Sequence, residues 1–157
     1  MSEVSIREFR PGDEHAFRRL NEEWITRYFR LEPKDVEALG TPQTSIIAKG
    51  GRIFFAILDD ERVGCCALLP MDVDTYEVAK MAVTASCQGQ GIGRRILQAV
   101  VDAARAAGGR RVWLETNRAM EPALRLYESM GFRFLPEERF VPSVYARSDV
   151  QMEMLLE

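Results

Sequence analysis

Hydrophobic positions change period several times along the chain, and each change marks an element. Val4 to Phe9 alternates like a strand, Pro11-Gly12-Asp13 turns the chain, and Asp13 stands where a helix N-cap belongs. Phe17, Leu20, Trp24, Ile25 and Tyr28 then recur at helical spacing, which predicts an amphipathic helix from Glu14 to about Phe29. Glu32 to Gly40 reads as a short second helix closed by glycine. Arg52 to Leu58 and Arg62 to Leu69 are β-rich runs joined by Asp59-Asp60-Glu61, a hairpin pattern, and Thr75 to Val83 (TYEVAKMAV) is a further strand. Ile96, Leu97, Val100, Val101 and Ala104 form the buried stripe of a helix that stops at Gly108-Gly109. RRVWLET follows as a buried strand, and Met120 to Met130 as a helix with Pro122 in its first turn and Gly131 at its exit. Phe132 to Leu135 and Val150 to Leu156 supply two last strands on either side of the polar stretch Pro136 to Asp149. The order β-α-α-β-β-β-α-β-α-β-β implies one right-handed parallel crossover, from Thr75 through Glu115, in a mostly antiparallel sheet.

Composition narrows the class. A chain of 157 residues, 46% hydrophobic and 29% charged with no break in composition, is expected to be a single domain over residues 1–157. There is no bilayer-length apolar run, since CCALLPM ends at Pro70 and Asp72, and MSEVSIREFR lacks the apolar stretch of a signal peptide. A cytoplasmic location without membrane partners is the expectation. A net charge of -3 argues against a general nucleic-acid binder. Cys65 and Cys66 are adjacent and Cys87 stands apart, so neither a disulfide framework nor a metal-ligand spacing is present. With His15 as the single histidine, Ser-His or Cys-His catalysis and a His-ligated zinc have little to draw on, and no metal is expected.

The segment CQGQGIGRR is the most unusual stretch. Glycines at 89, 91 and 93 run from a strand into a helix start, where several N–H groups and the helix dipole converge on one point that suits a phosphate. An ordinary strand-to-helix turn also uses glycine. A Walker loop is excluded because Arg94-Arg95, not Lys-Ser or Lys-Thr, follows the last glycine. The dinucleotide fingerprint is excluded by the G-x-G-x-G spacing and by its late position in the chain.

Gln88-Gly89-Gln90-Gly91-Ile92-Gly93, preceded by a strand ending Met81-Ala82-Val83, resembles the Q/R-x-x-G-x-G/A signature of the GNAT superfamily of acyl-CoA-dependent N-acetyltransferases. Asn117 followed by Ala123-Leu124-Arg125-Leu126-Tyr127-Glu128-Ser129-Met130-Gly131-Phe132 resembles that family's N…A…LY…GF helix. The resemblance implies an α/β (α+β) fold, with a central mixed, mostly antiparallel twisted sheet of about seven strands and about four helices. It implies that the amides of Gln88 through Arg94 hold the pyrophosphate of acetyl-CoA, with Arg94 and Arg95 as further phosphate candidates. The pantetheine arm is expected to run along Met81, Ala82 and Val83 as an added strand. Asn117 is expected to meet the pantetheine or a water, or else simply to end its strand.

An alkylammonium of pKa ~10 must lose a proton before attacking a thioester, and the thiolate that leaves needs a donor. Tyr127 matches the family tyrosine placed near the sulfur and is the expected acid or sulfur-positioning group; without the resemblance it would read as core. Glu77 is the expected base, directly or through water, against the reading of a strand-edge glutamate in an ion pair. The resemblance, and nothing in the sequence itself, implies a strand bulge near Met81 or Val83 that would free a main-chain N–H for the oxyanion. Strict alternation puts Lys80 on the face opposite Glu77 unless such a bulge intervenes, and a solvated or ion-paired lysine is the expectation. The resemblance implies an acceptor site between Trp24, Tyr28, Phe29 and Arg30 on one side and Phe140 to Asp149 on the other, with Tyr28, Tyr145 and Arg147 as substrate candidates; Tyr145, Arg147 and Asp149 could grip an amine bearing a carboxylate, or the stretch is simply a polar loop feeding an edge strand. The expected activity is transfer of acetyl to a small-molecule primary amine in a ternary complex. Acetylation of a protein lysine or N-terminus, or acetyl-CoA sensing without catalysis, stays open, as does a homodimer through the late strands.

Overall fold

The computed structural model describes residues 3–157. Its strands are β1 (Ser5–Glu8), β2 (Arg52–Leu58), β3 (Glu61–Pro70), β4 (Thr75–Val83), β5 (Arg111–Thr116), β6 (Arg133–Phe134) and β7 (Val150–Leu155). Helices α1 (Glu14–Tyr28), α2 (Pro33–Gly40) and α3 (Pro42–Ser45) join β1 to β2; α4 (Ile92–Ala106) joins β4 to β5, and α5 (Glu121–Met130) joins β5 to β6. The seven strands make one sheet in the order β1-β2-β3-β4-β5-β7-β6. Only β4 and β5 pair in parallel, as a strand-helix-strand crossover requires. This is the mixed, mostly antiparallel architecture expected, with two additions. The one-turn α3 and the 3-10 turn at Ile47–Lys49 fill a stretch, TPQTSIIAK, that has no helical period to announce them.

The sheet is buried on both faces, which is why RIFFAIL and ERVGCCALLP read as nearly continuous apolar runs. Phe54, Cys66, Leu68, Val78, Val112 and Leu114 pack with Ile96, Leu97, Val100 and Val101 of α4 and with Leu124 and Tyr127 of α5. Ile53, Phe55, Cys65, Ala67 and Ala82 pack on the other side with Phe17, Leu20 and Ile25 of α1 and Leu39 of α2. Each such aliphatic side chain contributes about 1.5–3 kcal/mol on full burial. That anchorage fixes where the N-terminus of α4 points.

Two departures from a flat, fully paired sheet shape its centre. First, β4 and β5 pair only over Thr75↔Arg111, Tyr76↔Val112 and Glu77↔Trp113, after which they diverge. Second, Cys65 pairs with Ala82 and Ala67 with Ala79, so Lys80 and Met81 together oppose Cys66 in a β-bulge. Lys80 sits there at φ +56, and among the described residues the other non-glycine positive φ values are those of Asp59 and Asp60 in the β2–β3 turn. A left-handed lysine inside a strand costs on the order of 1–3 kcal/mol and must be held by its surroundings.

Asp13 does precede α1, but its carboxylate does not cap the helix. It is fully buried and accepts from Arg7 (2.7 Å), Arg62 (2.8 Å) and the Arg10 N–H (2.7 Å). Asp35 of α2 is likewise fully buried, accepting two bonds from Arg147 (both 2.7 Å), one from Lys80 (2.9 Å) and one from the Glu32 N–H (2.9 Å). Burial opposes ionisation of both carboxyls, and these donors overcome it, holding each at about 2. A carboxyl lowered in the folded state contributes stability that is complete above its unfolded pKa of ~3.9 and is lost as pH falls through the folded value. The thermal midpoint is therefore expected to fall steeply between pH 4 and 2. Asp35→Asn should flatten that slope in a calorimetric pH series.

Candidate active site

The divergence of β4 from β5 opens a cleft of about 700 Å³. Glu77, the stretch Met81 to Val83, Gln88, Gly89, Gly91 to Arg94, Asn117 and Tyr127 all border it, as do Tyr28, Tyr145 and Arg147. One opening thus collects residues from five regions of the chain.

The glycine segment forms one end of the cleft. Gly91 is the N-cap of α4 at φ +79, and Gly89 is also at φ +79; a Cβ added at either would meet nothing within 4 Å. The first described helical bond runs from the Arg95 N–H to the Gly91 carbonyl. Among the described residues, the N–H groups of Gly89, Gln90, Gly91, Ile92, Gly93 and Arg94 have no acceptor. The start of α2 is closed by its own Asp35, whereas the start of α4 is left open. Six free donors at a positive helix end fit a pyrophosphate.

The arginines divide. Arg94 borders the cleft and donates to Ser129 Oγ. Arg95 donates to the Val4 carbonyl beside a separate small pocket, so the expectation that it meets the same phosphates is corrected. The Gln90 side chain also turns outward to that pocket, leaving its main-chain N–H as its contribution. The Gln88 side chain bonds the Val83 carbonyl (2.9 Å) and braces the end of β4, and its main-chain N–H donates to the Ala85 carbonyl (3.4 Å), so the expectation that this amide joins the pyrophosphate cradle is corrected.

Beyond Glu77 the β5-facing edge of β4 has no strand partner among the described residues. Unpaired main-chain groups over 78–83 can accept an extended amide chain as an added strand, which fits the pantetheine arm. Asn117 is engaged otherwise: its Nδ2 donates to the Arg147 carbonyl (2.7 Å) and its Oδ1 accepts from the Ala119 N–H (2.8 Å). These bonds correspond to its turn-forming reading.

Glu77 shares a sheet face with Trp113, its register partner, and hence with Glu115 two residues on. Burial, then the like charge of Glu115, raise the Glu77 carboxyl to about 7, with Lys80 opposing. A base poised there is half-ionised at neutral pH. Glu115 did not figure among the sequence candidates. It borders the same cleft, and its Oε1 is buried without a partner among the described residues. The signal was available in the crossover, which sets β5 beside β4 and so the end of one near the end of the other.

Tyr127 is 7% exposed, packs against Phe132 at 5.8 Å between centroids, and borders the cleft from α5. Burial, with Cys66 adding to it, pushes its phenol well above the usual value. It therefore holds its proton at neutral pH and has a hydrogen bond to give. Cys65 and Cys66 are buried and pushed up, to about 12 in the case of Cys65, and are not nucleophiles.

At the acceptor end Trp24, Tyr28 and Phe29 form an aromatic wall, while Arg30 does not border the cleft. Opposite stand Tyr145 and Arg147, and here the expectation of a free carboxylate clamp is corrected. Arg147 is committed to Asp35 in a two-pronged pair and to Glu32 (3.3 Å), and the Ala146 N–H donates to Glu32 Oε1 (2.9 Å). Lys80 is ion-paired, as one of its two readings held, and not solvated: the bulge shifts the parity that would have set it opposite Glu77, and its Nζ donates to Asp35 and to Tyr145 OH (both 2.9 Å). Among the described residues no group of His, Cys, Asp or Glu could hold a metal, and no helix is long and apolar enough to cross a membrane.

Comparison with known proteins agrees with this geometry. Residues 14–132 match the family model described as the acetyltransferase (GNAT) family. The chain is 33% identical over 119 residues to the uncharacterized N-acetyltransferase YsnE of Bacillus subtilis (strain 168), covering 73% of this chain and 76% of that one. It is 28% identical over 96 residues to the [ribosomal protein bS18]-alanine N-acetyltransferase of Escherichia coli (strain K12), covering 60% of this chain and 65% of the relative. Its fold matches a GNAT-family acetyltransferase from Staphylococcus aureus Mu50 at a TM-score of 0.89 and 17% identity, over 99% of this chain and 100% of that one. The match from α1 to Phe132 takes in the parted strands, the open helix start and Tyr127, and on it the chain belongs to the GNAT family of acetyltransferases and is an acyltransferase.

Proposed function

We propose that this protein acts as a single-domain enzyme that transfers the acetyl group of acetyl-CoA to a primary amine of a small molecule, by direct attack in a ternary complex. The observation that carries the acetyl-CoA half is the open start of α4 beside the unpaired edge of β4, two main-chain surfaces in one cleft. Acetyl-CoA supplies an activated acyl carbon and a thiolate leaving group. The amides of Gly89 to Arg94 bind its pyrophosphate, and the β4 edge at Met81 to Val83 aligns its arm.

Glu77, directly or through water, takes the proton from the acceptor ammonium. The freed amine attacks the carbonyl carbon to form the C–N bond and a tetrahedral oxyanion; as this collapses the C–S bond breaks, and the nitrogen sheds its second proton to the departing thiolate, leaving an amide and the thiol of coenzyme A. Tyr127 donates a hydrogen bond to the sulfur that leaves. A thiol titrates near ~8.5, well below this phenol, so full transfer of the Tyr127 proton runs uphill and the sulfur-positioning role is favoured over the acid role. The bulge at Lys80-Met81 frees a main-chain N–H for the oxyanion.

The small-molecule reading is supported by the loop before β7. Arg147 and Ala146 fasten that loop to α2 through Asp35 and Glu32, so a polypeptide laid through the acceptor end would have to break several charged bonds. The aromatic wall of Trp24, Tyr28 and Phe29 suits an amine with an apolar body. The second reading is N-terminal acetylation of a protein, favoured by the relative named for a ribosomal-protein alanine. Thiol release from acetyl-CoA, followed with panels of small amines and with peptides beginning in alanine or bearing lysine, decides between them. Turnover with an aromatic or aliphatic amine at least about tenfold above the peptides is expected, and preferential turnover of a peptide would overturn the small-molecule reading.

A further inference from the structure

The bulge in β4 needs a cause, because a lysine at φ +56 inside a strand is held against its own preference. Its side chain shows what holds it. Lys80 is 8% exposed in its side chain, and Nζ lies 2.9 Å from Asp35 Oδ1 and 2.9 Å from Tyr145 Oη, 4.5 Å above the Tyr145 ring. Arg147 lies over the same ring at 4.6 Å and grips the same carboxylate. The thiols of Cys65 and Cys66 donate to the carbonyls of Lys80 and Ala79 (both 3.5 Å). The bulge is thus tied to α2, to the loop before β7 and to β3.

We propose that Lys80 is a positioning residue for acyl transfer: clamped between Asp35 and Tyr145, its ammonium locks the β4 bulge and so sets the main-chain groups that face the reacting carbonyl. The inference rests on the acyl-transfer reading of the cleft. Its reach extends to the base, since Lys80 stands on the same side of β4 as Glu77 once the bulge has shifted the alternation. Glu77 then faces Glu115 from β5 and Lys80 from its own strand, with Asp35 of α2 and with Tyr145 and Arg147 of the loop around that ammonium. Lys80 is the charge in this group that favours ionised Glu77.

Lys80→Met, Lys80→Arg and Tyr145→Phe test the inference beside the wild type, with folding checked by thermal melts. Misplacing reacting groups by about 1 Å can cost ~10²-fold, so Lys80→Met is expected to lower kcat by about that factor while the KM for acetyl-CoA stays within about threefold. Lys80→Arg, which keeps a cation able to reach Asp35 and Tyr145, should recover much of the loss, and Tyr145→Phe should lie between. The midpoint of Glu77 in a carbon-13 carboxyl titration should rise by about one pH unit in Lys80→Met, a change that loss of fold strength alone does not produce. A folded Lys80→Met with kcat within twofold of wild type, or with an unmoved Glu77 midpoint, would overturn the inference. Should Lys80→Met not fold, wild-type kcat in a folded Tyr145→Phe would overturn it. A wild type that releases no thiol with any acceptor overturns the acyl-transfer reading instead, and the carboxyl titration still judges the coupling of Lys80 to Glu77.

Discussion

Glu77→Gln is expected to lower kcat by about 10²-fold or more near pH 7, the usual contribution of a positioned general base. The substitution keeps shape and burial and removes the proton acceptor. In the wild type the carboxyl is held at about 7, chiefly by burial and then by Glu115, so the rate should rise through an acid limb centred there as the base becomes ionised. Glu77→Gln should abolish that limb. Its deficit should shrink above pH ~9, because an acceptor amine of pKa ~10 then begins to deprotonate without help. Glu115→Gln gives the complementary result: with the like charge gone, the limb should move to lower pH while the plateau persists. Loss of activity in Glu115→Gln with a silent Glu77→Gln would transfer the base role to Glu115. Rate profiles of the three proteins on one amine separate these outcomes.

Gly93→Asp is expected to weaken acetyl-CoA binding by about 10²-fold without weakening the fold. Gly89 and Gly91 are poor sites for such a probe, because both sit at positive φ and any side chain there strains the backbone. Gly93 is the second residue of α4, and a Cβ there would lie 3.3 Å from Leu126 Cδ2, the tip of a flexible side chain. Replacing glycine by aspartate in a helix gains only about 0.3 kcal/mol of intrinsic propensity, and an acidic group in the first turn gains a further ~0.3–1 kcal/mol from the helix dipole. These gains offset the crowding, so the ligand-free melting temperature should hold or rise. The same carboxylate competes for the amides that would meet the pyrophosphate and repels its charge. A hundredfold loss is about 2.8 kcal/mol, the scale of one or two charge-assisted hydrogen bonds. Thermal melts with and without acetyl-CoA read both effects in one series.

What could be read from the chain and what could not follow the range of the interactions. CQGQGIGRR signals itself locally, because glycine content, helix start and preceding strand lie within a few residues of one another. The β4–α4–β5 crossover was legible for the same reason. The bulge was expected from the family resemblance alone, since nothing in TYEVAKMAV marks its place: it is held by Asp35, distant in sequence, and by Tyr145 on the far side of the chain. Arg147 illustrates a different gap. Its chemistry as a carboxylate clamp was correctly anticipated, but the carboxylates it grips belong to the protein's own Asp35 and Glu32. Glu115 at the end of an apolar strand reads as a solvated terminus until the parallel register with β4 brings it beside Glu77. In each case the missing information was which distant residue lies across the sheet or the cleft.

The most direct test of the central claim, that this cleft holds acetyl-CoA by its pyrophosphate on the open start of α4, is a calorimetric titration of the wild-type protein with acetyl-CoA and with acetylpantetheine, which lacks the nucleotide and pyrophosphate. Saturable acetyl-CoA binding that weakens with added salt is expected, with acetylpantetheine binding weaker by about 10²-fold or more, as loss of several charge-assisted contacts requires. Equal affinity for the two, or no binding of either by the folded protein, would contradict that claim.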